Sequence, residues 1–150
     1  MILPKTIVQA KITENISLTE DVKKLTVYAP DICHQARPGQ FVHIRIVSSC
    51  DPLLRRPLSI AGADIQRGTV TFIYRIVGVG TRLLARMTEG DVIDCMGPLG
   101  NGFKLECSHP LLIGGGMGTA PLVFLAQRLC PRPLEIIMGG RSREEMFWAD

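Results

Sequence analysis

Apolar and polar residues alternate with period two through much of the first hundred positions. Such alternation sends one row of side chains into a core and the other into water, as in a half-buried strand. Ile7 to Ile12 alternates in this way, and Val22 to Tyr28 does so more cleanly; Asn15 to Asp21 between them is polar and turn-like. Arg37-Pro38-Gly39 signals a turn before Phe41 to Val47, where His43 and Arg45 share one face. Pro57 to Ala61 and Thr69 to Val77 predict two more strands, separated by a polar loop containing Arg67-Gly68. Gly80 to Met87 predicts a short helix with Leu83, Leu84 and Met87 on one side. Asp91 to Cys95 predicts a sixth strand, ending at the punctuated stretch Gly97-Pro98-Leu99-Gly100-Asn101-Gly102. Six short strands at this spacing predict a small antiparallel barrel.

The period changes after Phe103. Leu111-Leu112-Ile113 is a continuous apolar run of the kind found in buried parallel strands, and it leads into Gly114-Gly115-Gly116-Met117-Gly118. Pro121 to Leu129 has helical spacing (Leu122, Leu125, Ala126, Leu129), and Pro131 and Pro133 end it. Leu134 to Met138 is a second apolar run. Strand, glycine turn, helix, strand is one βαβ unit. The expected fold class is therefore a β barrel plus α/β: a six-stranded antiparallel barrel over residues 1–103, then the first part of a parallel-sheet domain over 108–150. Two strands and one helix cannot bury both faces of a parallel sheet, so that second domain is expected to be incomplete. Glu144 to Trp148 offers at most one further helical turn.

Composition narrows the class. The chain has 150 residues, 46% hydrophobic and 21% charged, as in a folded globule rather than a disordered chain. A net charge of +3 without clustered Lys and Arg does not point to nucleic acid. The uncharged stretch Pro110 to Gln127 is broken by glycines and a proline and does not suit a membrane span. The N-terminus lacks a basic segment followed by an apolar one, so a cytoplasmic protein is expected. Five cysteines (Cys33, Cys50, Cys95, Cys107, Cys130) are odd in number and contain no C-x-x-C pair; reduced, mostly buried thiols are expected. His34, His43 and His109 are far apart, and no metal-ligand spacing is present.

Four short stretches could carry chemistry. In Arg55-Arg56-Pro57-Leu58-Ser59, Arg56 offers a planar cation suited to a phosphate, Pro57 commits it to extended backbone, and Ser59 shares the proline's face. A basic surface turn entering a strand explains the same residues. In Ile73-Tyr74-Arg75, an aromatic ring could stack on a flat cofactor and Arg75 could meet a phosphate or carboxylate, although neighbours on one strand point to opposite faces. An ordinary strand edge is the alternative. Gly78-x-Gly80-Thr81 leads into a helix with Thr81 as candidate N-cap, where exposed N–H groups favour an anion. A capped helix without a ligand is equally described. Gly114 to Pro121 follows a buried strand and opens a helix, the context of a dinucleotide loop, but departs from G-x-G-x-x-G. Pro121 suits a first helical turn. No acid ends the second strand to take a ribose diol; Gly139-Gly140-Arg141-Ser142 stands there.

This order of motifs resembles the ferredoxin–NADP reductase superfamily. Within it, the stretches 53–61, 73–81 and 97–103 are similar to the electron-transfer subunits of class 1B dihydroorotate dehydrogenases. The resemblance implies FAD in the barrel, with Arg56, Pro57, Leu58 and Ser59 at the pyrophosphate and isoalloxazine. It places Ile73, Tyr74 and Arg75 along the flavin, and Gly80 and Thr81 at the pyrophosphate. It brings the loop residues Gly115, Gly116, Gly118, Thr119 and Pro121 to NAD. It further implies electron transfer between NADH and an FMN-containing catalytic subunit in pyrimidine synthesis, through FAD and a [2Fe-2S] cluster, in a hetero-oligomer. The family's cluster cysteines lie beyond the nucleotide domain, and the five cysteines here lack their spacing, so the cluster is expected only in a full-length relative. A related reductase subunit of the sulfide dehydrogenase or NADPH–ferredoxin oxidoreductase type, or a truncated flavin-binding module without catalysis, remain the alternatives.

Overall fold

The structure is a computed structural model, and it describes residues 6–46 and 54–146. Six strands close into a barrel in the order β1-β2-β5-β4-β3-β6, every pair antiparallel. They are β1 (Thr6–Ser17), β2 (Val22–Tyr28), β3 (Phe41–Arg45), β4 (Arg56–Asp64), β5 (Thr69–Arg75) and β6 (Val92–Leu99). Period-two alternation fills the interior: Ala10, Ile12, Leu25, Val27, Val42, Ile44, Ile60, Val70, Phe72, Ile93 and Cys95 are all buried. Two helices add to this core. Ile32 and Cys33 come from α1 (Pro30–Cys33), and Leu84 comes from α2 (Val79–Arg86).

The expected barrel is present, with longer strands than the alternation marked. β1 continues through Asn15 to Ser17 past a bulge between Ile12 and Glu14, because Glu14 to Ser17 pair with Lys23 to Thr26 across the hairpin. Of the polar stretch Asn15 to Asp21, the first three residues end the strand and Leu18 to Asp21 form the expected turn. β6 runs through Gly97 and Pro98 to Leu99, since Thr6 pairs with Gly97 and Phe41 with Leu99. α1 is an element that the sequence pattern did not predict. Val47 falls outside the described residues.

Beyond the barrel, β7 (Leu111–Gly115) and β8 (Glu135–Gly139) pair in parallel, from Leu111 opposite Glu135 to Gly115 opposite Gly139. α3 (Ala120–Leu129) connects them after a 3₁₀ turn, Gly116–Thr119, that stands where the glycine run was expected to enter the helix directly. Leu112, Leu125 and Leu129 form a small core of their own. α3 also lies against β4, and its Phe124, 1% exposed, belongs to the barrel core. A second 3₁₀ turn, Arg143–Met146, follows β8; Phe147 and Trp148 lie outside the described residues. Among the four described cysteines, Cys33 and Cys95 are buried but Cys107 and Cys130 are exposed, so the thiols are not mostly buried. The exposed pair sits on the connection before β7 and at the end of α3, where little packs over the backbone. Cys50 lies outside the described residues.

Candidate functional site

Arg56 opens β4, and its guanidinium lies on the first turn of α2. A Cβ at position 80 would run into Arg56 Nε and stand 3.1 Å from Cζ, so only glycine permits this approach. Arg56 Nη1 donates to the Leu54 carbonyl at 3.0 Å, and among the described residues no carboxylate pairs with it. The first backbone bond of α2 is Arg82 N–H to Gly78 O, 2.9 Å, which leaves the N–H groups of Val79, Gly80 and Thr81 without backbone acceptors among the described residues. An uncompensated guanidinium beside free helix N–H groups is a receptor for a phosphate or pyrophosphate.

The expectation that Thr81 caps this helix is corrected. Gly78 is the N-cap, and Thr81 is the third helical residue. Its Oγ1 accepts the N–H groups of Val77 (2.9 Å) and Gly78 (3.0 Å) and donates to Gly78 O (3.1 Å). The hydroxyl is consumed in folding the preceding turn, and the cap lies three residues before Thr81, which leaves its backbone N–H on the first turn of the helix.

Tyr74 is corrected in the same way. Its ring points into the barrel, 2% exposed, and cannot stack on a ligand outside it. Its hydroxyl donates to Asn15 Oδ1 at 3.1 Å. Asn15 Nδ2 in turn donates to the carbonyls of Leu84 (2.9 Å) and Met87 (2.8 Å), at the end of α2. Lys23 Nζ adds a bond to Ala85 O at 3.1 Å. Burial raises the Tyr74 hydroxyl to about 12. Tyr74 therefore anchors the helix whose other end faces Arg56. Asn15 was missed from the sequence because its partners lie 59 to 72 residues away.

Outward-facing neighbours complete the surface. Leu58 is 8% exposed and turns inward, while Pro57 and Ser59 face out. Ile73 is half-buried on the outer side of β5. It lines a groove of about 450 Å³ with Ala61, Gly62 and Thr71 from the barrel and Val123 and Gln127 from α3.

A second groove, about 460 Å³, lies between the barrel and the α/β unit. It is lined by Arg75 on one side and Gly115, Gly116, Met117, Gly139 and Gly140 on the other. Gly116 has φ +51°, and no atom lies within 4 Å of where its Cβ would be, so the loop offers bare backbone. Of the expected loop residues, Gly115 and Gly116 line this groove. Gly118 is exposed beside it. Thr119 is 2% exposed and turns away, packing on Gly114 beneath α3, and Pro121 sits half-buried in the first turn of α3. For these two, a side-chain role at the loop is not supported by their placement.

Arg75, on the wall of this groove, also meets two carboxylates. Nη2 donates to Glu145 Oε1 at 2.8 Å, and Nε lies 3.3 Å from Asp21 Oδ2 without hydrogen-bond alignment. Glu145 also accepts from the Arg141 backbone N–H at 2.9 Å and from its guanidinium. Those Arg141 bonds first, then Arg75, lower the Glu145 carboxyl to about 2. An acid thus reaches the end of β8 from six residues further on. The i, i+4 spacing of Arg141 and Glu145 was the available signal.

With this geometry in place, comparisons decide the family. The model of the oxidoreductase FAD-binding domain matches residues 9–103. The chain belongs to this FAD-binding family. A curated relative from Bacillus caldolyticus, named dihydroorotate dehydrogenase B (NAD(+)) electron transfer subunit, is 42% identical over 139 residues, 89% of this chain and 54% of the relative. One of the same name from Fusobacterium nucleatum is 39% identical over 145 residues, 93% and 56% of the two chains. The chain spans about half the length of the curated relatives it matches. Among solved structures, an NADH-dependent reduced ferredoxin–NADP oxidoreductase superimposes with TM-score 0.82 at 32% identity, over 92% of this chain and 50% of that one. A ferredoxin–NADP⁺ reductase from Neisseria gonorrhoeae, solved with FAD and NADP, gives 0.78 at 19% over 96% and 61%, a likeness of fold. The FAD-binding domain match covers the barrel from Gln9 onward and all of α2, so Arg56 and the α2 start lie inside it.

Proposed function

We propose that this chain is the FAD-binding part of the electron-transfer subunit of a B-type dihydroorotate dehydrogenase. In the whole protein it passes electrons between an FMN-containing catalytic subunit and NAD, in the cytoplasm and in the service of pyrimidine synthesis. The observation that carries the flavin assignment is Arg56 laid over Gly80 at the α2 start. The observation that carries the enzyme assignment is the 42% identity to a subunit of that name.

The residues fit the group. Arg56 and the N–H groups of Val79, Gly80 and Thr81 would hold the pyrophosphate by charge-assisted hydrogen bonds. Pro57 and Ser59 on β4 and Ile73 on β5 would line the flavin, with the Ser59 hydroxyl serving a ring heteroatom. Bound FAD supplies a centre that accepts two electrons as hydride and releases them singly. The chain's own work is to bind and orient. Tyr74, Asn15 and Lys23 fix α2 so that its N-terminal dipole stays aimed at the anion. Gly115 and Gly116 offer backbone to a nicotinamide dinucleotide across the groove from Arg75. A [2Fe-2S] cluster does not fit the described residues: no group of three or more metal-ligating side chains converges there. In this reading the cluster is held by the part of the full-length relatives that this chain does not span, and no step here runs through it. No helix of the described residues is long and apolar enough to cross a membrane.

Reconstitution with excess FAD, followed by desalting, tests the flavin reading: retained absorbance near the flavin bands is expected, and a colourless protein would refute it. The second reading is a subunit of an NADH-dependent ferredoxin–NADP oxidoreductase, favoured by the superposition at TM-score 0.82. Co-purification with a dihydroorotate dehydrogenase catalytic subunit is expected under the first reading and absent under the second.

A further inference from the structure

We propose that Arg55 is a positioning residue for the flavin pyrophosphate: its clamp on Asp94 fixes the start of β4 and so holds Arg56 over Gly80. The inference rests on the flavin reading above.

Two consecutive arginines have opposite fates. Arg55 turns onto the barrel wall. Its Nη1 lies 2.7 Å from Asp94 Oδ1, 3.2 Å from the Asp94 carbonyl and 3.4 Å from the His43 carbonyl, tying the entry of β4 to both β6 and β3. The other Asp94 oxygen is taken by Arg45 at 2.7 Å. Both partners are largely covered, with side chains 18% (Arg55) and 11% (Asp94) exposed, where an ion pair is screened less than in open water. The Arg55 hydrogen bond is the first cause holding the Asp94 carboxyl below its ordinary value. The Arg56 guanidinium, by contrast, has one hydrogen bond among the described residues, to the carbonyl of Leu54, and Leu54 is 71% exposed. Nothing among the described residues grips the Arg56 guanidinium by charge. Its direction is inherited from the backbone on either side, and Arg55 is where that backbone is pinned. The Arg55 guanidinium is held on the barrel wall through Nη1, with a side chain only 18% exposed.

A double-mutant cycle on FAD affinity tests this, since residues that act through one another are non-additive. Titration of the full chain with FAD, read by flavin fluorescence, is made for wild type, Arg55→Gln, Arg56→Ala and the double variant. Arg55→Gln is expected to weaken FAD binding about tenfold, and to add nothing in the Arg56→Ala background. Arg55→Lys is expected to recover affinity to within about threefold, because an ammonium carries three donors for the same three acceptors. Additive losses, or an unchanged affinity for Arg55→Gln, would overturn the proposal while leaving the flavin reading intact. Loss in neither Arg55→Gln nor Arg56→Ala would overturn the proposal together with the pyrophosphate role of Arg56, whereas no FAD binding by wild type would overturn the flavin reading. Where Arg55→Gln fails to fold by circular dichroism, Asp94→Asn takes its place in the same cycle, with the same non-additivity expected and additivity contradicting it.

Discussion

Every strand of the barrel has two hydrogen-bonded neighbours, whereas β7 and β8 have only each other among the described residues. The barrel hides its inner apolar row, with Ile12, Leu25, Ile44, Ile60 and Phe72 at or near zero exposure, and leaves outward side chains such as Ile7 and Val92 exposed. The α/β unit buries Leu112, Leu125 and Leu129 and leaves Leu111, Ile113, Ile136 and Ile137 between 42% and 67% exposed. Closure leaves the first region no unpaired strand edge. The second region leans on the first, through Phe124 in the barrel core and through Glu145 between Arg75 and Arg141. The proposed flavin site lies on the barrel and α2, and the groove proposed for a dinucleotide lies where the barrel and the α/β unit meet.

The sharpest way to break this comparison is Phe124→Ala. Emptying a fully buried aromatic position costs about 3–5 kcal/mol. Urea unfolding should show that loss, and hydrogen exchange should rise in α3 and β7 before it rises in β1 to β6. A cost under about 1 kcal/mol, or uniform exchange, would show that the α/β unit does not depend on the barrel.

A smaller effect is expected from Tyr74→Phe, which strands Asn15 Oδ1 and costs about 1–2 kcal/mol as a lost buried hydrogen bond. Because the loss falls on the anchor of α2, FAD affinity should fall together with the thermal midpoint. A midpoint shift with unchanged affinity would separate Tyr74 from the site.

Smaller still is the acid limb. Arg55 and Arg45 hold the Asp94 carboxyl below its unfolded value. A carboxylate lowered by folding stabilises above its unfolded value, near pH 4, and that contribution disappears as the pH falls through the folded value. Thermal midpoints measured from pH 6 down to pH 2.5 should therefore drop more steeply for wild type than for Asp94→Asn. Parallel curves would contradict the clamp. Glu145, held to about 2, keeps its bridge through most of this range.

The barrel was legible in the sequence because alternation is a local signal, and each of the six strands carried it. Arg56 and Gly80 were legible as types, a phosphate-suited cation and a glycine before a helix, though not as contacting partners, since 24 positions separate them. What escaped was the inward and outward choice. Tyr74 looked like a stacking residue because an aromatic beside an arginine fits a cofactor wall, but β5 turns its ring into the core. Thr81 looked like a cap because hydroxyls favour that position, but its hydroxyl folds the turn before it. Asn15 and Glu145 are polar residues in unremarkable surroundings. Their roles arise from partners at the far side of the fold, at 59 to 72 residues' separation for Asn15 and 70 for the Glu145–Arg75 pair.

The central claim is that the Arg56 guanidinium and the α2 start together hold the flavin pyrophosphate. Titrating FAD into wild type and Arg56→Ala tests it most directly. Loss of a charge-assisted phosphate contact of about 1.5–3 kcal/mol should weaken FAD affinity roughly 10- to 150-fold, with the apo protein's unfolding midpoint unchanged. Equal affinities in the two proteins would contradict the account.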